Sequence, residues 1–303
     1  MTHIVAAKRR STTRTAQRRL ALAFMLPSAI LVGIFVVYPL IQSVWISLTD
    51  WDGISPDQTF IGLANYARLF TDTVFALAIQ HNLVWVVVGT TGGVGLGLAA
   101  ALLLYVRPRG SALFRTVFFV PQIVGGAIVG IIWLQLFQPE FGAIYQLGRA
   151  LNIDFLQRGF LGVPEAVMPA VLITGIWSGF GFYMIILLAG LQAVDRELVE
   201  AAMLDGAGPV ARFRHVILPQ IANAMNLAIV LAIIGSLKVF DIIWVMTQGG
   251  PANGTEVIAT YAYTKAFSQF DSGYAATLTV VMTVVALTLS LLFVRLRERG
   301  SDA

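Results

Sequence analysis

Apolar runs separated by short polar stretches set the pattern of this chain. They cover about residues 21–48, 82–105, 116–137, 167–191, 221–246 and 274–294. Each is long enough to cross a bilayer as a helix rising 1.5 Å per residue. The pattern predicts an all-α, polytopic membrane protein with six transmembrane helices. Residues 1–20 read as a basic amino-terminal tail and 21–303 as one membrane domain. The first run is too long, and lacks the small-residue cleavage site, to be a secretory signal peptide, so it reads as a retained span.

Polar stretches between the runs carry their own patterns. Residues 49–77 hold Asp50, Asp52, Asp57 and Asp72 with the strings WDG and FIGLANYARLF, which predict a surface segment with a short helix. Residues 195–219 predict more. Glu200, Ala201, Ala202, Met203 and Leu204 favour helix, Asp205-Gly206 permits a sharp break, and Pro209 can open a second helix to about Val216. That is a helix-turn-helix between two membrane runs. Within the runs, Gly89, Gly93 and Gly97 line one face, as do Gly126 and Gly130. Small residues at such spacing read as close helix packing rather than as a moving gate. Trp45, Trp51, Trp133 and Tyr105 fall near span ends, where aromatic rings anchor at the interface.

Charge orients this layout. Lys8, Arg9, Arg10, Arg14, Arg18 and Arg19, then Arg107, Arg109, Arg115, Arg196, Arg212, Arg214, Arg295, Arg297 and Arg299, all fall on one side, leaving Arg68, Arg149, Arg158 and Lys265 on the other. The positive-inside rule puts the 195–219 loop and both termini in the cytoplasm. Composition agrees: 57% of residues are hydrophobic, 12% are charged, and the mean hydropathy is +0.80. The pI near 9.6 is then topology, with no nucleic-acid partner implied. Without cysteine, and with only His3, His81 and His215 as scattered imidazoles, the chain has no expected metal site and no catalytic residues.

The 200–219 stretch resembles the EAA signature of binding-protein-dependent ABC importer permeases. Glu200, Ala201, Ala202, Gly206, Leu218 and Pro219 match in identity and spacing, and Val216 stands where isoleucine is usual. A second string, TQGGPANGTEVIATYAYTKAF, is similar to the loop of the carbohydrate branch, of the maltose and glycerol-3-phosphate type, and FIGLANYARLF fits the same branch. The RLRERGSDA ending assigns the chain to the first-partner type, like the larger maltose subunit but without its large external insertion. The alternative for the loop is an ordinary amphipathic connector packed on its own bundle.

The resemblance implies a bacterial or archaeal cell (inner) membrane and alternating access across it. A solute-binding protein would deliver a sugar or related solute, and two permeases would form the pathway as a heterodimer in the lipid. Two ATP-binding subunits, using ATP and Mg, would drive them. No GxxxxGK[ST] string occurs here, so the energy would come from those subunits. Met203 and Leu204 would form the apolar face of the coupling loop, Glu200 its charged contact and Asp205-Gly206 its knob, with Pro219 opening the fifth span. The substrate positions implied are Gly179, Phe182, Gly235, Ser236 and Val239; the last two replace amide side chains that contact maltose in the relative, leaving the solute open. Trp177 and Tyr183 are nearby aromatics, read equally as rings that stack on a sugar face and as lipid-facing or packing residues. Lys238 and Asp241, three apart in the fifth run, would share a helix face, either as a structural ion pair or as pathway groups. A stand-alone secondary transporter or channel would want several intramembrane carboxylates and inverted repeats, and a membrane enzyme a cluster of reactive groups; none of these patterns is present.

Overall fold

The structure, a computed structural model, describes Leu20, residues 24–106 and residues 109–301. The basic tail before Leu20 and Arg107 lie outside the described residues. Helix α1 (Phe24–Ile46) leads into a two-stranded antiparallel hairpin, β1 (Thr49–Asp50) with β2 (Thr59–Phe60), paired Thr49 to Phe60. Helix α2 (Ala64–Leu69) follows on the surface segment, and α3 (Thr73–Tyr105) returns across the bundle. At 33 residues α3 is longer than an apolar layer about 30 Å thick requires, so its first turns project beyond it.

The third run is not one straight helix. It divides into α4 (Ser111–Val124) and α5 (Gly126–Leu136), bent by 101° at Gly125, whose φ of +88° and ψ of 150° are open to glycine and strained for other residues. Helix α6 (Ala143–Leu151) and two 3-10 turns (Asp154–Gln157 and Phe160–Gly162) lead into α7 (Pro164–Gln192), the long central span.

After α7 come α8 (Arg196–Leu204) and α9 (Pro209–Gln220), then a 75° bend at Ile221 into α10 (Ala222–Leu237). The fifth run, expected as one helix over 221–246, stops at Leu237. Lys238 and Phe240 leave helical geometry, and a separate short helix α11 (Asp241–Met246) begins beyond them. Neither glycine nor proline marks this break. The carbonyl of Leu237 is met by Asn82 Nδ2 at 3.4 Å, while Asn82 Oδ1 accepts from the Ile258 amide at 3.0 Å. A buried asparagine on α3 thus serves both the end of α10 and the start of α12 (Ile258–Tyr263). The last helix, α13 (Ser272–Ser301), contains the sixth apolar run.

The core sits between α3, α7 and α10, where Ala101, Met184, Leu187, Leu191, Ile221, Ala228 and Ala232 are buried. The glycine face of α3 lets α7 come close. A Cβ at Gly97 would stand 2.9 Å from the Met184 amide nitrogen and 3.0 Å from the Phe180 carbonyl. The Gly126 and Gly130 face of α5 receives α11 in the same way, against Asp241 and Val245. Trp133 and Trp177 meet edge to face at 5.5 Å, and Trp51 Nε1 donates to the Ser55 carbonyl at 2.7 Å.

Candidate functional site

Two places collect the expected residues. The first is the α8–α9 unit. Asp195 caps α8 by accepting from the Glu197 amide at 2.9 Å, and the helix closes with Ala207 N–H donating to the Ala202 carbonyl at 2.9 Å. Gly206 follows at φ +80°, with open space around the position of a Cβ, so backbone geometry and not crowding calls for glycine. Pro209 opens α9, which runs on past Val216 to Gln220. Pro219 therefore precedes the 75° bend and does not open the fifth span as expected; α10 starts only at Ala222.

Gln220 was not singled out by any motif, yet it ties the unit's two ends together. Its Oε1 accepts from the Asp195 amide at 2.9 Å and its Nε2 donates to the Val216 carbonyl at 3.1 Å. One face of the unit, through Val199, Ile217 and Leu218, packs on the core. The other is bare. Leu204 is 89% exposed, Val210 79% and Met203 54%, and Glu200, Ala201, Asp205 and Pro219 are exposed beside them, with Ala202 half-buried.

The second place is a cavity of about 200 Å³ between α3, α4, α7 and α10. Gly179, Tyr183, Gly235, Ser236 and Val239 line it together, although they come from two separate spans. The Tyr183 ring lies in a glycine cradle. A Cβ at Gly93 would stand 3.0 Å from its Cε2, one at Gly179 3.7 Å from the same atom, and one at Gly235 3.9 Å from its hydroxyl. Across the cavity, Ser236 Oγ lies 3.3 Å from the Cβ position of Gly89. Neither hydroxyl has a hydrogen-bond partner among the described residues. Both are free to donate to, or accept from, a polar guest.

Trp85, Gln122, Gly175, Ile176, Ser178 and Ile242 complete the lining and were not anticipated. Gly175 and Gly179 repeat the four-residue spacing already noted on α3, and Gln122 is one of two amides in the third apolar run, with Gln135, so both left a signal in the sequence. Trp85 left none: its indole is buried among apolar neighbours, with Nε1 unpartnered. A larger groove of about 510 Å³ opens beside α1 and α13, lined by Trp51, Phe240, Tyr263 and Phe267 among others, but contains none of the expected residues.

Four expected positions do not line the cavity. Phe182 stands behind Tyr183, ring to ring at 5.7 Å, and Trp177 is turned toward Trp133. Lys238 and Asp241 do not share a helix face, because the break between α10 and α11 falls between them. Nor are they paired: among the described residues the one ion pair is Arg68 with Asp271, at 2.8 Å. Asp241 instead packs at the amino end of α5, where a Cβ on Gly126 would stand 3.0 Å from its Cβ and 3.3 Å from its Oδ2. A carboxylate is stabilised there by the positive end of the helix. Lys238 is exposed in this chain.

At the end of the bundle opposite α8–α9, the surface segment is locked to α12, to the start of α13 and to the loop between them. Asp72 accepts from the amides of Val74 and Phe75 at the start of α3, and from the hydroxyls of Tyr261 and Tyr274, both at 2.6 Å. Partial burial pushes the Asp72 carboxyl up, but these four donors outweigh it and hold it below the usual carboxylate range. Arg68 lies over the Tyr274 ring at 4.1 Å while pairing with Asp271.

Comparison with known proteins places this arrangement. The family model described as "Binding-protein-dependent transport system inner membrane component" matches residues 93–300. A probable ABC transporter permease protein of Bacillus subtilis, YurN, is 34% identical over 92% of this chain and 96% of its own length. The multiple sugar-binding transport system permease protein MsmF of Streptococcus mutans is 32% identical over 91% of this chain and 94% of its own length. In fold, the chain is similar to one in the crystal structure of a bacterial ABC transporter that imports the acidic polysaccharide alginate, with a TM-score of 0.82 at 23% identity, covering 96% of this chain and 99% of that one. With its six-run membrane bundle, its helix-turn-helix between the fourth and fifth runs and a family match over most of its length, the chain belongs to the inner-membrane permease components of binding-protein-dependent ABC importers.

Proposed function

We propose that this chain forms half of the pathway for a sugar-type solute, the other half being a second, different permease. The reading is supported by the cavity between α3, α4, α7 and α10, which offers two unpartnered hydroxyls, an amide and an aromatic ring on apolar walls. A sugar presents the same mixture: hydroxyls that donate and accept, and apolar ring faces that stack on aromatic side chains. The relative MsmF, and the diacetylchitobiose uptake system permease protein NgcF of Streptomyces coelicolor, 35% identical over 89% of this chain, carry names of that class.

In this reading the α8–α9 unit faces the cytoplasm, with both termini, and docks in a cleft of one of two ATP-binding subunits. Leu204, Met203 and Val210 enter the cleft and Glu200 meets a basic group at its rim. Hydrolysis of ATP with Mg takes place in those subunits, not in this chain, and an external solute-binding protein delivers the solute from the other side. Motion of the unit reaches the cavity through one bend. Gln220 binds α9 to the end of α7, and α10, carrying Gly235 and Ser236, starts two residues later.

The experiment is copurification and uptake with loop variants. Leu204→Asp and Glu200→Lys leave membrane insertion unchanged and lower both recovery of the ATP-binding subunits and uptake. Gly206→Pro, which cannot adopt φ +80°, keeps the chain in the membrane and uncouples uptake. Wild-type uptake and recovery in all three variants would remove the unit from the coupling path.

A further inference from the structure

We propose that the segment from Phe141 to Phe155 is an interfacial anchor, lying in the leaflet at the end of the bundle opposite α8–α9, with lipid acyl chains covering Leu147 and Leu151. This rests on the chain being a membrane protein and not on which solute it carries. Helix α6 has three distinct sides. Through buried Gly148 and half-buried Ile144 and Tyr145 it packs on protein: a Cβ at Gly148 would stand 2.8 Å from Leu156 Cβ and 3.1 Å from Gln157 Cγ, so the following turn is seated on that side. A second side, with Gln146 and Arg149, is polar and exposed. The third is apolar and equally exposed, with Leu147 at 52% and Leu151 at 57%, one helical turn apart.

Two more exposed apolar side chains flank the helix. Phe141, 86% exposed, precedes it and Phe155, 60% exposed, follows it. At nine residues the helix is too short to cross the apolar layer, and Arg149 would oppose its doing so. A helix surrounded by water has no use for this face. An amphipathic helix in the plane of the membrane does, burying apolar side chains at the headgroup boundary and keeping its polar side wet.

Position supports the same occupant. Helix α6 follows α5 through a tight turn, with Gly142 N–H donating to the Gln138 carbonyl at 2.9 Å, and packs against it. On α5, Ile128, Ile131 and Ile132 are also exposed, so α6 adjoins a span that has an apolar exposed surface of its own. Within the segment Asp154 offsets Arg149, and beside it Glu140 offsets Arg158, so its attachment depends on apolar contact and not on anionic headgroups.

The absence of cysteine makes the test direct. Single variants Leu147→Cys, Leu151→Cys, Gln146→Cys and Arg149→Cys are spin-labelled in the full chain and reconstituted, with whichever subunits copurify, in phosphatidylcholine nanodiscs. Labels at 147 and 151 are relaxed several-fold more by oxygen than by a water-soluble nickel chelate, and labels at 146 and 149 show the reverse order. Labels at Phe141 and Phe155 repeat the lipid-facing result without altering α6. Nickel access at 147 and 151 overturns the proposal in favour of a wet face. Loss of access to both reagents overturns it in favour of a protein partner.

Discussion

The Tyr274 hydroxyl donates to Asp72 Oδ2 at 2.6 Å, joining residues 202 positions apart in the chain. Because Tyr261 donates to the same oxygen, one carboxylate fastens the surface segment before α3 to α12 and to the start of α13. Hydrogen bonds to a charged group are worth ~1.5–3 kcal/mol each, so this end of the bundle is held by chemistry as well as by packing.

Asp72→Asn keeps an acceptor for the helix cap and removes the charge. The expected loss is ~1.5–3 kcal/mol at neutral pH, read as a lower thermal midpoint in detergent. The pH dependence has a definite sign. The folded-state carboxyl is held below its ordinary value, so its stabilisation is present above about pH 3.9 and fades as pH falls through the lower folded value. The gap between wild type and variant is therefore flat from about pH 5 upward and narrows in acid. A gap that stays undiminished well below the aspartate range would point away from the carboxylate.

Gly97 and Gly95 lie on the same helix and predict opposite outcomes. At Gly97 a Cβ would press on the backbone of α7 at 2.9–3.0 Å, and backbone cannot yield as a side-chain tip can. Gly97→Ala then costs ~1–3 kcal/mol through overpacking. At Gly95 nothing lies within 4 Å, so Gly95→Ala leaves the unfolding midpoint unchanged or raises it. Equal effects at the two positions would refute this account of the α3–α7 contact.

Ser236→Ala and Tyr183→Phe each remove a hydroxyl that makes no hydrogen bond within the described residues. Folding stability should hardly change. If the cavity takes the solute, each hydroxyl contributes ~0.5–1.5 kcal/mol to its binding, and the KM for uptake rises about two- to tenfold. Unchanged KM and unchanged solute preference in the double variant would place the path elsewhere.

Lys238 and Asp241, which the sequence pairs by spacing, should behave as independent sites. In a double-mutant cycle of Lys238→Met with Asp241→Asn, the effects on thermal midpoint and uptake add to within ~0.5 kcal/mol. The charge inversion, Lys238→Asp with Asp241→Lys, brings no rescue beyond the sum of the single changes. A coupling well above that limit would show that the break between α10 and α11 closes to bring the two charges together.

Local pattern was enough for the order of the apolar runs, the turn at Gly206, the helix opened by Pro209 and the six matched positions from Glu200 to Pro219, because each depends on residue type and spacing within a few turns of chain. The resemblance also grouped Gly179, Gly235, Ser236 and Val239, together with Phe182, which does not line the cavity; Tyr183 stood only as an aromatic neighbour of that group. Tertiary packing decided the rest. The fifth run breaks at Lys238 although its residues favour helix, because Asn82 and the seat on Gly126 and Gly130 reward the interruption from other parts of the chain. Gln220 and Trp85 acquired their roles the same way, through partners that lie 25 or more positions distant or on other spans. A three-residue spacing put Lys238 and Asp241 on one face only while the helix between them was assumed unbroken. Periodicity can count residues along a helix, but the helix ends where long-range contacts satisfy its last carbonyls.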